Sequence, residues 1–410
     1  MAKALSRKKH KVCAIDNRYT GWCPLTGGKQ WLERINAECI SAKQFYNRYV
    51  KRRMPVILTS SNTECLKAFS IEALSSICGD CDVAVEKADV DSFQPFGRTD
   101  AQSRMNMKFS EFLSRMQSDE LYCSTQPLAE DAQGPVQITS PHVQRLIDRG
   151  MIPESLPLMG NLGLHQINAW IGCSEDGASS GFHHDFHDNF YLLISGEKQF
   201  RISSPNFAAT RPTFGCKAGQ KVVIHPNGLI SYVGDLIRSD GASIIDVLKW
   251  KIRQGGNEAL QEELEEAILT EMIDSIDPKS CASTDQPPSF CIESTAHGEY
   301  ISETLKAGEM LYLPAGFFHE VISFNTSVDS NHHLAINYWY YPPTTTHSFE
   351  EPYEDNYWEA RWERIQNSKN NPKYINRDRM RRNKLPLQFQ YSKKEILRFI
   401  RRIEAVKKSI

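Results

Sequence analysis

SSGFHHDFHDNFYLLISGEKQFRISSP, residues 179–205, crowds three histidines and two aspartates against a run of apolar and aromatic residues. The texture of the run is that of short β-strands, and in a strand successive side chains alternate between faces. His183 and Asp185 therefore share one face, while His184 takes the other. A pair of metal-type ligands facing one interior needs a third from elsewhere, and a histidine on a different strand completes a two-histidine, one-carboxylate facial set with open coordination positions. His319 is the candidate for that third place. It lies in LYLPAGFFHEVISF, residues 311–324, where a strand, a Pro-Ala-Gly turn and a second strand would carry the chain back to the same interior. A rival zinc reading through His184 and His187 is the lesser one, because an HxxH pair in a strand does not place both imidazoles on one face.

Further short β-rich runs surround this core. GLHQINAWIG, NFYLLIS, KQFRIS and QKVVIH follow one another from Gly163, and EYISETLKAGEMLYLPAG, FFHEVISF and HLAINYWYY come later. Many short strands separated by Gly, Ser and Asp predict a jelly roll or barrel. The series is interrupted over about 226–296, where ASIIDVLKWKIRQ and NEALQEELEEAILTEMIDSI read as two helices around a Gly255-Gly256 break. In the second helix Leu260, Leu264, Ile268 and Met272 share a face opposite the acids. Upstream, SAKQFYNRYVKRRMPVIL predicts a helix leading into a strand after Pro55, and Phe109 to Met116 a further helix. The expected organisation is a basic extension over 1–35, a mainly β domain with α additions over 36–345 that carries the helical insertion, and a basic helical region over 346–410. In the last part Ser392 and Glu395 form a capping-box signature ahead of Ile396, Phe399, Ile400 and Ile403.

Composition narrows the class. Of the 410 residues, 40% are hydrophobic and 24% charged, near globular averages, so disordered and fibrous classes are excluded. The N-terminal MAKALSRKKHKV has charge but no apolar stretch after it, so neither a secretory leader nor a membrane span is expected. Eleven scattered cysteines fit reduced thiols inside a cell, and residence in the nucleus or cytoplasm is expected. The single CxxC, Cys78 to Cys81, has no second pair and reads as ordinary cysteine. A net charge of -2 hides a basic tail: the last fifty residues hold sixteen Lys and Arg against four acids. That tail is a candidate for RNA contact, for a nuclear signal or for a solvated helix.

The order of HxD, Asn189, Gly196, Lys198, PAGFFH and LAINYWYYPP, opened by FYNRYVKRRMPVIL, resembles the JmjC (cupin-like) oxygenases over about residues 36–345. The resemblance implies a double-stranded β-helix core with iron(II) on His183, Asp185 and His319, and 2-oxoglutarate as cosubstrate. It places the Lys198 ammonium on the distal carboxylate of 2-oxoglutarate, with Ser180 as an assisting hydroxyl, and Asn189 and Asn337 near the inner carboxylate and the iron. It further implies hydroxylation of a protein side chain. RNA hydroxylation, lysine or arginine demethylation and a non-catalytic binding module remain as alternatives. Phe317 and Phe318 stand where tryptophans are common in the family, and the helical insertion matches no familiar substrate-reading module. No JmjN-like or zinc-finger pattern accompanies the domain. A homodimer through the Ile396, Phe399 and Ile403 face is also expected by resemblance. Trp170, Tyr191, Tyr338 and Trp339 are candidate pocket aromatics, with at most one of the last two facing inward. His142, His165, His332 and His333 read as structural.

Overall fold

A computed structural model describes residues 16–369 apart from 18, 26–30, 61–63, 88–103, 129–136, 175–176, 210–221, 233–235, 277–299, 326–331 and 345–346. Two sheets face each other as a jelly roll. Among the described residues the larger has nine strands, in the order Arg34–Asn36, Val56–Thr59, Met310–Leu313, Asp188–Ser195, His333–Tyr340, Leu164–Gly172, Leu121–Cys123, Asp82–Lys87 and Met105–Lys108. The smaller runs Ile301–Lys306, Glu197–Ser203, Phe318–Phe324 and Ala178–Ser179, with His183–His184 also paired to Phe318–Phe324. This is the mainly β fold with helical additions that the motif order predicts.

The run NFYLLIS is apolar without alternation because both faces of its strand are covered. Tyr191 and Leu193 pack between the sheets with Phe200, Ile202, Leu311 and Leu313. Phe190 and Ile194 face the other way, into a second core closed by the helices Ala42–Phe45, Ile71–Cys78, Phe109–Arg115 and Pro141–Asp148 and by Trp358. Ser41 caps the first of these helices in a capping box with Gln44, as the SAKQFYNRYV pattern requires.

The chain passes from the large sheet to the small one through Gly196, at φ 81°. A Cβ there would sit 2.7 Å from both the His333 Cβ and the Phe324 carbonyl oxygen. Gly196→Ala should therefore cost about 1–3 kcal/mol from backbone strain before the clash is counted. Chemical denaturation checks this, and a midpoint unchanged from the parent would show that the crossing tolerates a side chain.

The interval after residue 226 opens with a strand, Ile230–Tyr232, which pairs with Val222–Ile224 beside Asp16–Asn17 in a small third sheet. Its helices are Ile244–Arg253 and Glu258–Ile276, packed through Ile245, Leu248, Leu264 and Ala267. Residues assigned to a basic extension also join the body: Leu32 is buried between the sheets, and Trp22 lies 5.7 Å from Phe317, ring to ring. The helix Tyr357–Lys369 ends the described chain. The final helix predicted from Ser392 onward, its dimer face and most of the basic tail lie outside the described residues. No helix among the described residues is long and apolar enough to cross a membrane.

Candidate metal and cosubstrate site

His183 and His319 are direct partners across the antiparallel pairing of His183–His184 with Phe318–Phe324, which puts both imidazoles on one face. Asp185 follows after the strand, and its backbone carbonyl accepts from the Gly316 N–H at 2.8 Å, tying the HxD segment to the Pro-Ala-Gly turn. One ligand atom from each of His183, Asp185 and His319 lies within 4.8 Å of the others. The His183 Nε2 is 3.9 Å from Asp185 Oδ1, and the His319 Nε2 is 3.8 Å from Asp185 Oδ2.

The tautomers suit a metal. Each histidine holds its Nδ1 against a backbone carbonyl, Gly181 O at 2.9 Å for His183 and Phe317 O at 3.0 Å for His319. A carbonyl only accepts, so Nδ1 carries the proton and Nε2 offers a lone pair to the shared space. Burial, followed by the neighbouring His183, holds His319 down to about 4, so it is neutral at ordinary pH. The residues present therefore fit a divalent metal of the iron(II) type.

His184 points the opposite way, as alternation requires, into a pocket between Phe186 and Phe318. Its ring nitrogens have no hydrogen-bond partner among the described residues. Burial pushes it down to about 3, and His142, stacked on Phe109, down to about 4. Below the unfolded value of 6.5 the unfolded chain binds protons that these imidazoles refuse, so stability falls with pH from 6.5 toward 4. The expected slope is about 1.4 kcal/mol per pH unit for each such histidine. His142→Leu should remove one share of it in denaturant titrations at pH 7, 6 and 5; an unaltered slope would sink this account.

The neighbouring Asp188 does no metal work. It is fully buried on the outer face and binds Arg53 through two contacts of 2.5 and 2.6 Å. It also accepts from the Tyr312 hydroxyl and from the Ala315 N–H, each at 2.9 Å, which fixes the turn ahead of His319.

Lys198 shares its inward face with His319: Ile202 pairs with His319 and Lys198 with Ser323 in one register. Four residues of strand separate the two levels, roughly 13 Å at about 3.3 Å per residue. Lys198 has no exposed surface, and its ammonium donates to Ser323 Oγ at 2.5 Å and to His333 Nδ1 at 3.1 Å. The Tyr122 ring lies 6.0 Å away. Among the described residues no carboxylate pairs with it, and burial pulls its pKa down to about 7. A buried amine without a counter-ion is a strong attractor for a carboxylate-bearing ligand.

Asn189 and Asn337 come together beside Asp185. The Asn189 amide donates to Asp185 Oδ2 at 3.5 Å, and Asn337 donates to Asn189 Oδ1 at 3.0 Å. Ser180 sits differently from the expectation of an assistant to Lys198. Its hydroxyl donates to the Gly181 carbonyl and accepts from the Val321 N–H, and the hydroxyl beside Lys198 is that of Ser323. Of the pocket aromatics, Tyr338 turns to the outer core and Trp339 inward. His333 was read as structural, and Ser323 and Tyr122 gave no signal in a sequence where polar residues in strands are common. His165, read as structural, lies 3.9 Å from His187, ring on ring, and next to Trp339.

A jelly roll with two histidines and one carboxylate around a common point, and a lysine without a described carboxylate partner deeper on the same wall, is an arrangement that a metal-binding cupin would use. Comparison with known proteins gives the family. Residues 42–346 match the family model of the cupin-like domain. The chain is 32% identical over 446 residues to the JmjC domain-containing protein 4 of Schizosaccharomyces pombe, across 84% of this chain and 91% of that one. It is also similar to a lysine-specific demethylase of Arabidopsis thaliana, 27% identical over 42% of this chain and 41% of that protein. A bifunctional peptidase and (3S)-lysyl hydroxylase of Homo sapiens is 26% identical over 42% and 41%. The chain belongs to the JmjC cupin-like family.

Proposed function

We propose that this protein is an iron(II)- and 2-oxoglutarate-dependent oxygenase that hydroxylates a protein side chain, with lysine the first residue to test. The observation that carries the proposal is the pairing, on one inner wall, of the His183, Asp185 and His319 cluster with the buried Lys198, which has no carboxylate partner among the described residues. A dicarboxylate reaching from the metal to that ammonium satisfies both ends. Lys198 would bind its distal carboxylate, Ser323 and His333 would hold the ammonium in place, and Asn189 and Asn337 would orient the groups around Asp185. Iron(II) and 2-oxoglutarate together supply oxygen activation, one oxygen atom entering the substrate C–H bond and the other leaving in succinate as carbon dioxide is released. The protein's own part is to hold each histidine's Nδ1 on a backbone carbonyl, shield the pocket with Tyr191, Trp170 and Trp339, and fix the cosubstrate's orientation.

Lysine is favoured because two relatives carry lysine chemistry in their names, one as a hydroxylase and one as a demethylase. The test is mass spectrometry of lysine-containing and methyl-lysine peptides after incubation with iron(II), 2-oxoglutarate and air. Gain of one oxygen supports the proposal. Loss of a methyl group with formaldehyde would make the protein a demethylase, and succinate release stimulated only by RNA would move the substrate to nucleic acid.

A further inference from the structure

The wall that carries Asn189 and Asn337 holds two more buried carboxamides, Gln166 and Asn168, on the adjacent strand Leu164–Gly172. Asn168 pairs with Asn337 and Gln166 with Trp339, so all of these side chains share the inner face. They form one continuous series. Gln166 Nε2 donates to Asn168 Oδ1 at 2.8 Å, Asn168 Nδ2 to Asn337 Oδ1 at 3.1 Å, Asn337 Nδ2 to Asn189 Oδ1 at 3.0 Å, and Asn189 Nδ2 to Asp185 Oδ2 at 3.5 Å. Every amide donates in the same direction, toward Asp185.

A carboxamide can flip, so a row of them has two polarities unless something that cannot flip touches it. Two such groups do. The Gln126 backbone carbonyl, an acceptor only, takes an N–H from Gln166 at 3.2 Å. The Trp170 indole, a donor only, gives its Nε1–H to Asn337 Oδ1 at 2.9 Å. With the indole on one side, Asn337 must present its carbonyl to Trp170 and its amino group to Asn189. Asn189 must then present its own amino group to Asp185. Reversed, the row would set an amide carbonyl against the carboxylate, two acceptors face to face with no proton between them.

We infer that Trp170 is a positioning residue for the metal site: its indole N–H sets the polarity of the Gln166, Asn168, Asn337 and Asn189 row, so that an N–H holds one oxygen of Asp185 and leaves the other for the metal. The inference rests on the proposed metal role of Asp185. It assigns a share in metal affinity to Asn168, and to Trp170 beyond its part in shielding the pocket.

The test is Mn(II) binding to the full chain without oxygen, followed by electron paramagnetic resonance, for the parent, Asp185→Ala, Trp170→Phe, Asn168→Leu, Asn337→Ala and the Trp170→Phe/Asn337→Ala double variant. Phenylalanine keeps an aromatic ring at this position while removing the donor. Trp170→Phe should weaken Mn(II) binding by about 10-fold, at the lower end of effects seen when a group supporting a ligand is lost, with an altered spectrum and a melting temperature within a few degrees of the parent. Asn168→Leu should act in the same direction. Adding Trp170→Phe to Asn337→Ala should weaken binding no further, since the indole acts through that amide. Parent-like affinity in Trp170→Phe, or effects of the two substitutions that simply add, would overturn the inference. If Asp185→Ala binds Mn(II) like the parent, the metal assignment itself fails, and that outcome is read from a separate variant.

Discussion

Replacing Lys198 with methionine should stabilise the protein without its cosubstrate while removing most of its affinity for 2-oxoglutarate. The side chain is wholly buried, its polar partners among the described residues are Ser323 and His333, and no described carboxylate balances it. Exchange of such a buried charged group for an apolar one of similar length is expected to gain about 1–4 kcal/mol. The sign with pH follows from the direction of the shift. Burial lowers the folded value from 10.5 to about 7, so between those limits the unfolded chain holds a proton that the folded chain has given up. Stability of the parent thus rises with pH across this window, and the advantage of Lys198→Met is largest below pH 7 and shrinks toward pH 10. Loss of a buried charge partner typically costs 2–5 kcal/mol in binding, about 30-fold to several thousand-fold in the dissociation constant of 2-oxoglutarate. Thermal melts at pH 6.5 and 9 with calorimetric titration check both halves. A methionine variant that melts earlier than the parent, yet binds 2-oxoglutarate normally, would mean the lysine is a structural group.

Asp188→Ala should be the most damaging substitution near the site that touches no ligand position. It leaves the Arg53 guanidinium buried and unpaired, which costs about 3–5 kcal/mol. Arg53 itself holds a left-handed backbone conformation, φ 54°, and its neighbours Tyr312 and Ala315 lose an acceptor at the same time. Because the Ala315 N–H bond fixes the turn before His319, metal affinity should fall together with stability. Denaturant melts and metal titration on Asp188→Ala, with Asp188→Asn as the milder change, measure both. A variant less than about 1 kcal/mol down would show that water or a rearranged tyrosine takes the place of the carboxylate.

The His-Asp-His cluster was legible in the sequence because one rule, alternation along a strand, separates His183 and Asp185 from His184, and the PAGFFH turn returns a histidine to the same interior. The long-range arithmetic was not. Asp188 sits three residues from Asp185 in the motif, but its partner Arg53 lies 135 residues away, and nothing local in FYNRYVKRRMPVIL marks one arginine of three for burial. The strand LHQINAWIG shows a cleaner inversion. Its polar residues Gln166 and Asn168 alternate with Ile167 and Ala169, a pattern that ordinarily marks a solvent face. Here helices cover the outer side, the apolar residues meet them, and the polar row lines the interior. Lys198 had a role only through family resemblance, since a lysine in KQFRIS reads as exposed until the Gly196 crossing turns it inward. Ser180 shows the limit of that transfer: it occupies the matching position, yet its hydroxyl is held by Gly181 and Val321, while Ser323 meets the ammonium.

The most direct test of the oxygenase assignment is succinate formation from 2-oxoglutarate in air with added iron(II) and a cell extract, comparing the purified protein with Asp185→Ala and Lys198→Ala. Iron-dependent succinate from the parent, stimulated by extract and lost in both variants, is the predicted result. Turnover that survives Asp185→Ala, or a parent that neither forms succinate nor binds iron(II) and 2-oxoglutarate, would contradict it and leave a JmjC-like binding module as the better description.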